Sequence, residues 1–326
     1  MELLLKLMRA PGASGNEENV REIISEQIKN YVDEVKIDKS GNLIAVKKGS
    51  LPKVMLAAHM DEVGLMVKRI EANGSIRCSG IGDINAKSLI GQKVRIGAFG
   101  TAVNGIIKGK KSKKTKVNNL VIKTKFSRKE LLSKSVEAGN YISFECESRT
   151  DGKRIYGKAL DNRIGCFILI ELAKKLQKAK NEIYFVFTVQ EEIGLYGAIT
   201  SSFEINPDWA IAIDVTDAAD IPKECIGLGP VVTVKDSDFI ANKCINGWLR
   251  TIAKKHGIAL QPNVSDKGTT DATSISLSRG GVPSSVVGVC VDKMHTLNGT
   301  ASARDIENAI NLLYELIKNP PKVCLV

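Results

Sequence analysis

The stretch "FVFTVQEEIGLYGA", residues 185–198, sets the strictest condition on any fold this chain can adopt. Phe185-Val186-Phe187-Thr188-Val189 has the length and the β-branched and aromatic bias of a buried strand. Two adjacent carboxylates, Glu191 and Glu192, follow at once, and then a glycine turn. Burying one carboxylate is costly and burying two is worse, unless a strong positive charge stands nearby. Lys and Arg are scarce around this segment, so the positive partner must come from elsewhere.

Further apolar runs, "KVMLAAHMDEVGLMV", "WAIAIDV" and "SSVVGVCV", read as strands. They alternate with the helical patterns "NRIGCFILIELAKKLQK", "FIANKCINGWLRTIAKKHG" and "ARDIENAINLLYELIKN". Strands separated by helices predict an α/β fold with a mostly parallel, helix-covered sheet, whose ligands sit beyond the carboxyl ends of the strands. Near the start, "MELLLKLMRAPG" reads as a helix, and Val20, Ile23, Ile24 and Ile28 predict a second one capped by Ser14 or Asn16. From Leu65 to Tyr156 the texture changes to short strands punctuated by turns, with a helical turn near "RKELLSKSV". That pattern predicts a small β-barrel over 65–156, inserted into a sheet domain formed by 1–64 and 157–326.

Composition narrows the classes. The chain has 326 residues, 43% of them hydrophobic and 25% charged, as in an ordinary globular protein. No run approaches the roughly 18 apolar residues of a membrane span. Cysteines 78, 146, 166, 225, 244, 290 and 324 are odd in number and never spaced Cys-x-x-Cys, which predicts buried or free thiols in a reducing cytoplasm. The net charge is +11, but ten cations and no acid lie between Gly105 and Lys129, so the rest of the chain is nearly neutral.

The polar residues at the predicted strand ends form a short set: His59, Asp61, Glu191, Glu192, Asp214 and His295, with Asp161 where a helix begins. Alone, Asp161 could be a helix cap and Asp214 a turn residue. The joint count is more telling, because two of only three histidines fall at strand ends beside acids. The third, His256, follows a basic helix and reads as a C-terminal charge. Two divalent cations and one hydroxide would balance the three carboxylates of Asp161, Glu192 and Asp214. Mixed carboxylate and imidazole ligation suits Zn²⁺ first, with Co²⁺ or Mn²⁺ as alternatives. Glu192 would then be held by metal, and Glu191 would stand free beside the water.

In this order, "AAHMDEVG", "KALDNRIG", "QEEIGLYGA", "AIDVTD" and the "GVPSSVVGV…MH" segment resemble the di-metal tetrahedral aminopeptidases, the glutamyl or deblocking aminopeptidases, some of which carry an endoglucanase label. The resemblance spans nearly the whole chain. It implies a co-catalytic di-zinc aminopeptidase-like sheet domain with a PDZ-like barrel insertion. It also implies Asp161 as bridging ligand, His59 and Asp214 completing one metal, and Glu192 and His295 the other. Glu191 would be the general base and Asp61 the carboxylate that orients His59. Short peptides would be trimmed from the N-terminus inside a twelve-subunit shell, a homododecamer. The chain departs from the family at Tyr196, where Arg is usual, at "KGTTDATS", at "TLNGTAS" after His295, and at "KGKKSKKTK" in the insertion.

Two other readings stand beside this one. A related di-metal amidase, a deacylase or carboxypeptidase, would share the ligands. A nucleic-acid- or anion-binding protein would use the basic segment 108–129 through phosphate contacts. No stacking aromatics interleave with those lysines, and only Phe126 is nearby, so nucleic acid is not an expected partner.

Overall fold

The structure, a computed structural model, describes residues 1–97, 102–221 and 225–320. Among these, one sheet of eleven strands holds the molecule together. From edge to edge it runs Glu34–Ile37, Leu43–Lys47, Asn181–Thr188, Ser50–His59, Trp209–Asp217, Ser284–Asp292, Gly299–Ser302, Arg154–Gly157 and Arg149–Thr150. Val231–Lys235 branches from the strand Ser284–Asp292 and pairs in turn with Gln261–Val264.

The four central strands, Asn181–Thr188, Ser50–His59, Trp209–Asp217 and Ser284–Asp292, are parallel, as the alternation of strands and helices predicts. The flanks run antiparallel, and short turns join Glu34–Ile37 to Leu43–Lys47, Arg149–Thr150 to Arg154–Gly157, and Ser284–Asp292 to Gly299–Ser302. In the hairpin of Glu34–Ile37 and Leu43–Lys47, for example, the Asp38 carboxylate accepts the N–H groups of Ser40, Gly41 and Asn42.

Strand side chains alternate between two helix layers. On one face Leu56, Ala58, Ile211 and Ile213 pack with Leu4, Ile24, Phe167 and Leu312 from four helices. On the other, Met55, Ala57 and Val186 meet Ala198, Ile205 and Ile275. Burial on both faces is why these strands read as continuous apolar runs. The helix Ala303–Lys318 buries Ile306, Ala309, Leu312, Leu313 and Leu316, the spacing of one helical stripe.

A closed barrel is built from Gly64–Ile70, Ile76–Ile81, Val121–Lys123, Val103–Lys108, Lys93–Ile96 and Tyr141–Phe144. It has its own core, including Leu65, Ile76, Val94, Ile107, Leu120 and Ile142. The short helix Arg128–Ser133 begins on a capping box between Ser127 and Glu130. The strands Arg149–Thr150 and Arg154–Gly157 lie beyond the barrel, in the large sheet.

Two local expectations fail. Neither Ser14 nor Asn16 caps the second helix, which runs Glu18–Ile28 with Glu17 at its N-cap. The Ser14 hydroxyl is spent elsewhere, on Asp61. Cys225 and Cys290 are paired as a disulfide with Cα atoms 6.1 Å apart, not thiols as their spacing predicts. They are 65 residues apart in sequence, so only the folded sheet brings them together. Cys78, Cys146 and Cys166 are thiols, as expected, and Cys324 lies outside the described residues.

The start of the helix Leu160–Lys175 tolerates little change. A Cβ added at Gly165 would stand 2.7 Å from the Ile213 carbonyl oxygen and would also meet the Asn162 side chain. Gly165→Ala should therefore lower unfolding free energy by about 1–3 kcal/mol in a urea titration.

Candidate metal centre

Register brings the strand ends together. Thr188 is the partner of His59, and Ala212 the partner of Ala57, so Glu191, His59 and Asp214 leave the sheet at one end. Asp161 comes from the helix side. Ala159 is left-handed, and Asp161 and Asn162 are non-helical inside the first turn of Leu160–Lys175. The Asn162 amide donates to the Ile213 carbonyl at 2.8 Å and accepts from Gly165 N–H at 2.9 Å. That bridge fixes the helix start against the strand carrying Asp214.

His295 sits in a turn after the strand Ser284–Asp292, with φ of 56°. Gln190 and Leu195, on either side of the two glutamates, also have positive φ. Non-glycine residues rarely hold this conformation, and such positions concentrate at functional sites.

The side chains converge in two groups that share one residue. His59 Nε2 lies 3.1 Å from Asp161 Oδ1 and 3.6 Å from Asp214 Oδ1. His295 Nε2 lies 3.1 Å from Asp161 Oδ2 and 3.5 Å from Glu192 Oε2. Ligand atoms of His59, Asp161 and Asp214, and of Asp161, Glu192 and His295, fall within 4.8 Å of one another in each group. Glu191 belongs to neither group, and its Oε2 is 3.9 Å from His59 Nε2.

Asp61 does more than the sequence suggests. Its carboxylate, fully buried, accepts the Ser14 hydroxyl at 2.6 Å and the backbone N–H groups of Glu191 at 3.0 Å and Glu192 at 3.2 Å. Its backbone carbonyl is 3.1 Å from His59 Nδ1, closer than its carboxylate at 3.5 Å. One residue thus orients the imidazole and also pins both glutamates. Glu17, likewise buried, accepts the N–H of Gln190 at 3.1 Å.

The reading of the sequence missed Asp271. Its carboxylate accepts the Thr188 hydroxyl at 2.6 Å, and its other oxygen is buried without a partner. The signal was the "TTDATS" segment, which looks like an ordinary helix start. It also missed Glu62, whose carboxylate takes up Lys158 at 2.5 Å and Arg163 at 3.3 Å. That pairing withdraws two nearby cations from the carboxylate cluster.

The electrostatics show the strain. Burial pushes Glu191 well above the usual carboxylate range, with the Asp214, Asp271 and Glu192 charges adding to it. Burial and the Asp161 charge raise Glu192 to about 8. Burial raises Asp271 to about 7. Burial opposes a charged His295, but hydrogen bonding and attraction to Asp161 prevail and raise it to about 9. His59 is raised in the same way against burial, by Glu191 and by Asp161. Asp161 is also disfavoured by burial, yet its bonds from His295 and His59 hold it well below the ordinary value.

This donor set suits divalent cations. It combines carboxylate oxygens and imidazole nitrogens at ligating separations, and Glu192 Oε1 is buried with no hydrogen-bond partner. A cation supplies the charge that protons on Glu192 and the two histidines otherwise supply.

Comparison with known proteins decides the class. Residues 41–312 match the M42 glutamyl aminopeptidase family. The chain belongs to the M42 aminopeptidases. The lysyl aminopeptidase of Pyrococcus furiosus is 36% identical over 337 residues, covering 97% of this chain and 96% of that one. The crystal structure of the TET aminopeptidase from a marine sediment Thaumarchaeota archaeon is 33% identical, covers 100% of this chain and 98% of its own, and superposes with a TM-score of 0.94. The TET1 peptidase of Pyrococcus horikoshii, which can assemble into a tetrahedron or a large octahedral shell, is 30% identical with a TM-score of 0.88 over 97% of this chain and 98% of its own. This M42 member is a metal-dependent aminopeptidase, a hydrolase of peptide bonds, and the deacylase, carboxypeptidase and anion-binding readings yield to that one.

Metal uptake by this M42 site should release protons. In the metal-free protein Glu192 and His295 titrate at about 8 and about 9, so both are mostly protonated at pH 7 and must lose protons to ligate. Affinity should rise as pH increases from about 6 to 9. Calorimetric titration with Zn²⁺ in buffers of different ionisation enthalpy measures the protons released, and a value of zero at pH 7 would contradict this electrostatic picture.

Proposed function

We propose that this aminopeptidase works with two divalent ions per chain, Zn²⁺ first and Co²⁺ or Mn²⁺ as substitutes. The observation that carries the proposal is the pair of ligand groups joined through Asp161. His59, Asp161 and Asp214 would hold one ion, and Asp161, Glu192 and His295 the other. When bound, such ions polarise a scissile carbonyl and make water nucleophilic near neutral pH.

The chain's own residues do the rest. Glu191 takes the proton of the attacking water and hands it to the leaving amine. Its raised proton affinity suits both steps, since burial makes the carboxylate a stronger base than an exposed one. Asp61 keeps Glu191 in place through its backbone N–H and orients His59. The cleft in front of these groups measures about 310 Å³, room for the end of a short peptide. Among the described residues no helix is long and apolar enough to cross a membrane. The dodecameric and tetrahedral assemblies of TET1 relatives support a homododecamer here, with the cleft opening to an enclosed space.

Four variants test the roles. Protein as purified should hold close to two divalent ions, and chelation should abolish hydrolysis. Asp161→Ala should empty both sites by elemental analysis, whereas His295→Ala should mainly weaken one. Glu191→Gln keeps shape but cannot take a proton, so turnover should fall about 10²–10⁴-fold with metal content intact. Glu192→Gln should lose metal. If Glu191→Gln loses its ions while Glu192→Gln keeps both, the two roles are reversed.

The basic segment stands apart from this chemistry. Lys110, Lys111, Lys113 and Lys114 are exposed on the barrel, and no residue of 108–129 lines the cleft. Their charge would enrich acidic peptides near the shell, an effect that salt screens. Replacing all four by Gln should leave turnover of a neutral aminoacyl substrate within about twofold. A loss of orders of magnitude would place the segment in the active site.

A further inference from the structure

The turn that carries the two glutamates takes its shape from outside. Its carbonyls are used internally: Glu191 C=O accepts the N–H groups of Gly194 and Leu195 at 3.0 Å, and Val189 C=O accepts Gly197 N–H at 3.0 Å. Its N–H groups are not. Four in succession, from Val189 to Glu192, donate to side chains from distant parts of the chain. Asn42 takes the first at 3.0 Å, Glu17 the second at 3.1 Å, and Asp61 the last two. Successive N–H groups in a turn of this kind, here around left-handed Gln190, converge on anions. Glu17 and Asp61 are those anions.

Glu17 is the less expected of the two. It stands at the N-cap of the helix Glu18–Ile28, yet its side chain makes no capping hydrogen bond there. Instead Oε1 accepts both Gly15 N–H at 2.8 Å and Gln190 N–H at 3.1 Å. The side chain is buried, at a desolvation cost that a surface cap would not incur. The loop that carries it is itself fixed. Gly12 C=O accepts Glu62 N–H at 2.9 Å, and the Ser14 hydroxyl donates to Asp61. A Cβ on Gly15 would stand 2.6 Å from Tyr141 Oη, so the barrel closes over the loop. Glu17 therefore reaches Gln190 from a firm base.

Gln190 is the pivot between the end of the strand and Glu191. Its φ of 56° sets the direction in which the next residue leaves the sheet, and a non-glycine residue holds that conformation only when its surroundings enforce it. Asp61 grips the backbone of Glu191 and Glu192 alike, whereas Glu17 grips the pivot ahead of them. We infer that Glu17 is a positioning residue for peptide hydrolysis: by holding Gln190 N–H it fixes the pivot that aims the Glu191 carboxylate. The inference rests on the assignment of Glu191 as general base.

The test measures kcat and KM on Leu p-nitroanilide for Zn²⁺-loaded wild type, Glu17→Asp and Glu17→Gln, with rates normalised to bound metal. Asp keeps the charge and suits an N-cap but is one methylene short of Gln190, whereas Gln keeps an acceptor oxygen at full length. Glu17→Asp should lose about 10²-fold in kcat, with KM within about twofold and metal content unchanged, because small misplacements of a catalytic group cost that much. Glu17→Gln should stay within about fivefold of wild type, the difference between a charged and a neutral acceptor. Added to Glu191→Gln, Glu17→Asp should lower the single-turnover rate no further, since its effect passes through a carboxylate already removed. The inference is overturned if Glu17→Asp keeps kcat within about twofold of wild type, or retains more turnover than Glu17→Gln. A loss that multiplies that of Glu191→Gln overturns it as well, being the mark of a merely structural role. So does loss of metal in Glu17→Asp, which would move the effect to Glu192. Full turnover in Glu191→Gln itself would remove the base assignment first, and the inference with it.

Discussion

Asp61, Asp161, Glu191, Glu192, Asp214 and Asp271 crowd one end of a parallel sheet, and the crowding governs the architecture around it. Like charges at these separations repel strongly once water is removed. Lys158 and Arg163 could have relieved the cluster, but Glu62 occupies both. The remaining relief comes from the two imidazoles, from backbone N–H groups aimed at Asp61, and from whatever cation enters. A protein with an apolar alternative at these positions would fold more readily. Retaining six acids marks the place where stability has been exchanged for chemistry.

Much of this was legible in the sequence, for a physical reason. A strand buried on both faces must be apolar throughout, so His59, Glu191 and Asp214 stand out where their runs stop. Parallel order follows from the helices between strands, and it collects those ends on one side. The supporting residues were hidden because their signals are ordinary. Ser14 looks like a helix cap, Asp271 looks like the first residue of a short helix, and Glu62 looks like a surface acid. Only three-dimensional proximity reveals that Ser14 donates to Asp61 and that Glu62 holds two cations. The disulfide of Cys225 and Cys290 was hidden for the same reason, since chain spacing carries no information about which strand and loop will meet.

The barrel is part of the site's support, not an appendage. Asn85 N–H, in a barrel loop, donates to the His295 carbonyl at 3.3 Å, and Leu297 joins the barrel core. Gly82 approaches Glu192 so closely that a Cβ there would be 3.2 Å from its Oε2. Tyr141 donates to the Ser14 carbonyl at 3.2 Å, next to the hydroxyl that serves Asp61. Two of the groups around Asp161 are therefore braced by the insertion, and the others by the sheet.

That division gives the two halves of the centre different characters. The His59 side chain is 2% exposed and flanked by rigid parallel strands, whereas that of His295 is 21% exposed and sits on a turn braced by a loop. A cation held at the His59 half would be shielded from solvent more completely than one held at the His295 half. Because Asp161 belongs to both ligand groups, charge entering either half would be felt by the donors of the other.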